Sequence, residues 1–398
     1  MEIAPERWGR QRFLLYLPNS WLTPFHNRSP WLMLPRSFRA LGYDATLICA
    51  RLTTDCPNGV ELVQTGLVIK TQGPLLRRGL FRSLFEPLFA IRVIARRRPN
   101  LVVISPARSS LITFLAMLPL YRRAISRSTR FILKADISID DTALDPLIVL
   151  LSNALLAFAS HLLDMVSFET SCSVERAQRL PGMARSKVVH VPIGFPQGLI
   201  TLRTHCGIPR DPVILCVARI ARMKGQDVLL RAFSKLAARF PQWSVHLIGP
   251  EEDQPFKQEL LSYIASQHLE DRVAFLGFVD DRTMDEEFAR ATIFCLPSVH
   301  SENAGQVRYE ATASGLPVVT TDVPCGRDAL NMGWAVVRAG DAESLAGQLE
   351  ILMRDRSTRQ ALVERAQSRQ ISYEGVASLY LQGLSLLAID APGSPPGK

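Results

Sequence analysis

Short unbroken apolar runs recur along this chain, and between them apolar residues return every three or four positions. The first pattern predicts a buried strand, the second a helix with one covered face. Phe13–Leu17 predicts a first strand closed by a turn at Pro18-Asn19-Ser20, and Ser29–Leu41 a helix stopped by Gly42. Ala45–Cys49, Leu101–Ile104 and Arg130–Leu133 predict further strands. These runs lack the polar alternation of a half-exposed sheet. The fold class is therefore α/β, with parallel sheet covered on both faces.

From Pro212 the rhythm becomes more regular. Strands are predicted at Val213–Val217, Ser244–Ile248, Arg272–Phe275, Ile293–Leu296 and Pro317–Thr320, with helices between. Amphipathic helices are expected over Asp341–Met353, Ser357–Ser368 and Tyr373–Leu387. Asp390–Lys398 holds three prolines and two glycines and reads as a disordered tail. A length of 398 residues gives room for two or three domains with real cores. No short repeat is visible, so two similar architectures without shared sequence are expected.

Composition sharpens this only slightly. With 47% hydrophobic and 21% charged residues, a largely disordered chain is excluded. Pro146–Leu163 is apolar enough to raise a membrane span, but its 18 residues sit at the lower edge of spanning length and include Asn153 and His161. A helix packed in the core is expected instead. Met1–Arg7 has no apolar stretch, so no secretory signal is expected. The seven cysteines form no CxxC or CxxxC pair, which suits buried free thiols in a reducing, cytoplasmic setting.

Charge is unevenly placed. Residues 1–200 hold 25 Lys/Arg against 13 Asp/Glu, a net of +12, while residues 201–398 hold 21 against 24, a net of −3. A cationic half attracts nucleic acid, anionic lipid headgroups or acidic glycans, and the sign alone does not choose among them. The absence of a zinc or RNP pattern with interleaved aromatics argues against nucleic acid. The segment from Leu75 to Phe89, continuing to Arg96-Arg97-Arg98, mixes arginines with Leu and Phe. It is either a helix lying on an anionic membrane or a core-facing helix with a solvated basic face.

The chemistry concentrates between Val217 and Thr321. Arg219 and Lys224 follow a strand, where a parallel sheet offers its loops to a ligand. Arg grips phosphate oxygens bidentately and Lys adds a mobile point charge. Glu302 and Glu310 frame a strand-to-helix junction with Gly305-Gln306 at the helix start, where free N–H groups suit phosphate. Gly249 and Gly277-Phe278-Val279 follow strands and allow close backbone approach. Taken singly, these residues also fit solvated cations, helix-end charges and turn glycines. Together they suit a nucleoside diphosphate sugar.

Arg219, Lys224, the Glu302-x7-Glu310 pair and the run Ala311-Thr312-Ala313-Ser314-Gly315-Leu316-Pro317-Val318-Val319 resemble the donor-binding half of retaining glycosyltransferases of the GT-B fold, family 4, "group 1". The likeness covers roughly Pro212 to Leu352. It implies two Rossmann-like domains facing each other across a cleft. Residues 1–197 would take the acceptor and 198–372 the nucleotide sugar, and the helix 373–389 would cross back onto the first domain, before a tail at 390–398. It also implies that Arg219 and Lys224 stabilise the leaving diphosphate, that Glu302 faces the transferred sugar and that Glu310 accepts from the ribose. Gly249, Val279, Gly305 and Gln306 complete the donor set.

There are departures. Ala304 stands where the family usually has Phe, Ile193 where Asn is usual, and Pro18-Asn19-Ser20-Trp21 where Gly-Gly is common. Asn19, Lys134 and Asp136 are the acceptor-side candidates, with Asp136 alternatively a helix cap or the partner of Lys134. The expected activity is transfer of a sugar from a nucleoside diphosphate sugar to a hydroxyl of a glycan or lipid-linked acceptor. The expected setting is surface polysaccharide or glycolipid assembly, with possible docking at the inner membrane face. Without an Asp-x-Asp in a donor context, no metal and no cofactor are expected. The alternatives are a phosphorylase on the same fold, or a degenerate, non-catalytic transferase-like partner protein.

Overall fold

The computed structural model describes residues 11–22, 30–53, 56–65, 75–105, 108–124, 128–135, 146–195, 210–300, 305–323 and 326–389. The chain divides into two compact units, one of Met1–Gly194 with Tyr373–Lys398 and one of Phe195–Ser372. Both are α/β, each built on one parallel sheet.

The first unit's sheet contains β1 (Arg12–Leu22), β2 (Asp44–Leu52), β3 (Glu61–Gln64), β4 (Leu101–Ile104), β5 (Arg130–Ala135), β6 (Met165–Phe168) and β7 (Val188–His190). Their order is β3-β2-β1-β4-β5-β6-β7. The middle strands are apolar on both faces because helices cover both: all four residues of β4 and of β6 are buried. From β3 onward the chain moves across the sheet in one direction. Right-handed crossovers therefore place the helices Leu75–Arg97, Arg108–Ala124, Pro146–Leu162 and Ser171–Arg179 on one face. On the other, the helix Pro30–Ala40 packs against the C-terminal helix Tyr373–Ile389, whose Tyr380 hydroxyl lies 3.3 Å from Ser167 Oγ.

One expectation is overturned. Pro18-Asn19-Ser20 does not end the first strand; β1 runs on to Leu22, and pairing with β2 shifts register between Leu17 and Trp21. Pro18 has no N–H to give the ladder, so the strand bulges there and resumes pairing at Trp21. Asn19 is thus a backbone position within β1, and its side chain lies outside the described residues. The short edge strands β3 and β7 had no sequence signal, since edges are half exposed and carry little apolar pattern.

The second unit contains β8 (Val213–Val217), β9 (Ser244–Ile248), β10 (Val273–Gly277), β11 (Ile293–Leu296), β12 (Val318–Thr321) and β13 (Ala335–Val337). The order β10-β9-β8-β11-β12-β13 reverses direction between β8 and β11. At such a reversal the loops beyond two neighbouring strands diverge and leave a crevice. Cys216 and Cys295 are buried thiols outside any disulfide in this sheet, and Cys49 is one in the first unit, where burial pushes the thiol up to about 12.

Candidate donor site at the sheet reversal

The loops at the carboxyl ends of β8 to β11 are knitted by backbone hydrogen bonds. Ala218 N donates to Ile248 O at 2.8 Å, Ile220 N to Pro250 O at 2.9 Å and Gly249 N to Gly277 O at 2.8 Å. Val299 N, beyond β11, donates to Met223 O at 3.0 Å. Glycine is required at two of these crossings. Gly249 has φ +146°, and a Cβ there would stand 2.1 Å from Ala218 O. Gly225 has φ +70°, and its Cβ would stand 2.0 Å from Pro297 O. Neither oxygen can move without breaking a strand end.

Arg219 lies two residues beyond β8. Its guanidinium is about half exposed and donates to Glu252 Oε2 at 2.6 Å, while its carbonyl accepts from Gln226 Nε2 at 2.8 Å. The backbone is thus pinned and the head group is held by a carboxylate that an anion can displace. Lys224 ends the short 3-10 turn Arg222–Lys224 and is buried, a placement that strengthens its field on any nearby anion. Arg222 points elsewhere, pairing with Glu259 and stacking over Phe256.

Gly305, with φ +60°, caps the helix Gln306–Ala313. Gln306 Nε2 donates to Glu310 Oε1 at 3.1 Å, which orients the carboxylate one turn into the helix. The small residues Ala311, Thr312 and Ala313 are buried, so the helix packs closely on the sheet. Glu302 lies outside the described residues. Val279 follows β10 beside the exposed Phe278, and Asp280 caps the next helix by accepting from Thr283 N at 2.8 Å. Those Thr283 bonds hold the Asp280 carboxyl below its ordinary range, so the Asp280-Asp281 pair reads as a helix start. No cluster able to hold a metal occurs among the described residues.

Arg308 escaped the sequence reading. It is buried beneath the Gly305 turn, donating from Nη1 to Thr320 Oγ1 at 3.0 Å with its guanidinium over the Trp334 ring at 5.0 Å. A Cβ at Gly305 would stand 2.7 Å from Arg308 Nε, so the turn and the guanidinium occupy one packed space. The only sequence signal was an arginine two residues before Glu310, in a helix that ends in the small residues Ala311-Thr312-Ala313.

Of the acceptor-side candidates, Lys134 is described and lies in the first unit. It is buried near the end of β5, ion-paired with Glu169 and 4.4 Å from the Trp31 ring centroid. Asp136 lies outside the described residues. No local sequence signal marks the partner Glu169, which follows β6, whose Phe168 pairs in register with Ala135. Removing one member of a buried pair leaves a bare charge, so Lys134→Met should cost roughly 3 kcal/mol and Lys134→Met with Glu169→Leu clearly less. Chemical denaturation checks this, and equal losses would show that the pair is not an ionic unit.

Residues 204–369 match the family described as glycosyl transferases group 1. Over these residues the chain is similar to the group 1 glycosyltransferases. The group 1 match carries relatives with it. Over 172 residues the chain is 33% identical to a phosphatidyl-myo-inositol mannosyltransferase of Mycolicibacterium smegmatis, covering 42% of this chain and 43% of the relative. It is 38% identical over 172 residues to a mannosylfructose-phosphate synthase of Agrobacterium fabrum, covering 40% and 37%. The chain thus spans less than half the length of these curated relatives.

Solved structures match most of the chain in fold. The crystal structure of Anabaena HepE in complex with UDP superposes with a TM-score of 0.70 at 17% identity, covering 94% of this chain and 100% of that one. A sucrose-phosphate synthase from Thermosynechococcus elongatus gives 0.70 at 18%, covering 96% and 100%. The fold is GT-B, with two Rossmann-like domains.

Proposed function

We propose that this protein moves a hexose from a nucleoside diphosphate sugar to a hydroxyl of a glycan or lipid acceptor, with retention and without a metal. One observation supports the reading: Arg219, Lys224 and the two glycine crossings lie in loops beyond the strands beside the point where one parallel sheet reverses direction, and Gly305 starts the helix between β11 and β12. That is where such a sheet receives a nucleotide. The names of relatives support a hexose donor and a lipid-linked acceptor, since three are mannosyltransferases and two of these are named for phosphatidyl-myo-inositol.

In this mechanism the bond from the anomeric carbon to the diphosphate oxygen breaks as the acceptor oxygen bonds on the same face. The acceptor's proton passes to the departing phosphate oxygen. Arg219 and Lys224 meet the charge that develops there, taking the part a divalent ion plays elsewhere. Glu310 holds the ribose and Glu302 the sugar hydroxyls.

The test is a panel of nucleotide sugars assayed for hydrolysis and binding. Binding of one donor with release of its nucleotide supports transfer, conversion of a glycan and inorganic phosphate to a shortened glycan and a sugar 1-phosphate supports the phosphorylase, and binding of none supports the non-catalytic partner. Within the transferase reading, Glu310→Gln should weaken free nucleoside diphosphate by very roughly 1 kcal/mol, because a charge-assisted bond becomes neutral. Glu302→Gln should mainly lower turnover. Calorimetry separates them, and equal loss of affinity in both overturns this division of roles.

A further inference from the structure

The helix Pro146–Leu162 was expected to lie within the core, but only one of its faces does. Leu156, Ala159 and Ser160 are buried against the sheet of the first unit. The opposite stripe, Leu147, Leu150, Leu151 and Phe158, faces outward at the spacing of one helical face. The neighbouring helix Arg108–Ala124 packs against it and turns Ile112 and Leu120 outward in the same way. These six side chains are each between 57% and 67% exposed. The helix Leu75–Arg97, packed on the far side of Arg108–Ala124, adds Leu88 and Phe89. Consecutive crossovers on one side of the sheet make this a single outward face.

Scattered exposed leucines need no explanation, but a continuous face of them marks an interaction surface. Its charge says what covers it. Neither Arg108–Ala124 nor Pro146–Leu162 contains an aspartate or glutamate, and Glu86, the one acid of Leu75–Arg97, is fully buried. Arg92, Arg96 and Arg123 are exposed on the same helices. At the end of the face Asp164 is shared by Arg122, at 2.6 Å, and Arg130, at 3.1 Å, so one carboxylate answers two guanidiniums and Arg123 beside them adds a third. A second copy of the chain would bring its own cationic half against this one, since residues 1–200 carry a net of +12. An anionic bilayer offers both the apolar depth and the opposite sign. No helix among the described residues is long and apolar enough to cross a membrane, which suits a face that lies on one.

We propose that the first unit docks on an anionic lipid bilayer through the helices Arg108–Ala124 and Pro146–Leu162, with Leu147, Leu151 and Phe158 entering the acyl boundary and the arginines meeting the headgroups. The contact differs from purely electrostatic adhesion. Apolar insertion is not screened, so part of the binding persists at salt concentrations that abolish a basic patch alone.

The experiment is flotation of the full chain with vesicles of phosphatidylcholine containing phosphatidylglycerol, and with phosphatidylcholine alone, across a salt series. The wild type should float with the anionic vesicles and retain a measurable fraction at about 0.5 M salt, where screening is nearly complete. Leu147→Ser/Leu151→Ser/Phe158→Ser should lower the partition coefficient at least about tenfold while melting no earlier than the wild type, since these side chains leave water only in the membrane. A wild type that stays in solution, or a triple variant that floats equally well, overturns the proposal. So does a wild-type dimer that the triple substitution dissociates, because the face would then belong to a second copy. Nucleotide binding by the same variants is measured in parallel. Its absence would sink the transferase reading while leaving the flotation result standing.

Discussion

Lys224→Ala should lower turnover by about a hundredfold or more, and Arg219→Ala by a comparable factor, with donor affinity changing less than the rate. In the proposed transfer the charge they oppose develops as the diphosphate leaves, so removing a fixed cation would raise the transition state more than the bound state. The two should differ in one respect. Arg219 is half exposed and already held by Glu252, so the diphosphate must displace that carboxylate before Arg219 serves it. Lys224 is buried at the end of the 3-10 turn and acts where solvent screens least. Added salt should therefore erode the contribution of Arg219 more than that of Lys224. Steady-state kinetics on the purified variants, with melting temperatures as a folding control, decides the matter. Full activity in either removes that residue from the mechanism.

Gly225→Ala and Gly249→Ala should each destabilise the second unit by at least about 2 kcal/mol, shifting its melting by roughly 4–8 °C. Two costs combine. A Cβ must adopt the left-handed or extended-positive backbone that L residues avoid. It must also displace Pro297 O or Ala218 O, which stand 2.0 and 2.1 Å from its ideal position. Because both carbonyls belong to the loops that carry Arg219 and the strand end before Glu302, the surviving folded protein should lose nucleotide affinity as well. Gly340, with φ +76° and nothing within 4 Å of its Cβ site, is the control: Gly340→Ala bears the backbone cost alone and should lose less. Equal losses at all three positions would show that the close approach is unimportant.

The second unit was largely legible before any coordinates. Its inner strands β8, β11 and β12 are short and buried on both faces, so each apolar run had one interpretation, and β9 and β11 fall where the pattern put them, while the edge strand β13 had no sequence signal. The loop positions of Arg219, Lys224, Gly249 and Gly305 were legible for a related reason. Loops beyond buried strands show themselves in the local sequence, in cations after a strand and glycines where backbone crosses. The first unit was harder. β1 outlasts Pro18 because its partner β2 continues alongside it, and a neighbour's length is not written in the strand's own residues. The Lys134–Glu169 pair joins residues 35 apart in the chain that meet only because β5 and β6 are adjacent.

By itself the sequence determined the α/β class, the rhythm of parallel strands and the placing of cations and glycines just beyond them, because burial on two faces and turn geometry both leave marks within a few consecutive residues. The tertiary structure decided which of those loops share one crevice, since that depends on the reversal of strand order between β8 and β11. It also decided that Arg308 is buried under the Gly305 turn, and that the apolar helix Pro146–Leu162 turns half its leucines outward. An apolar residue looks the same in a sequence whether it faces a core or a membrane, and only the packing of its neighbours tells the two apart.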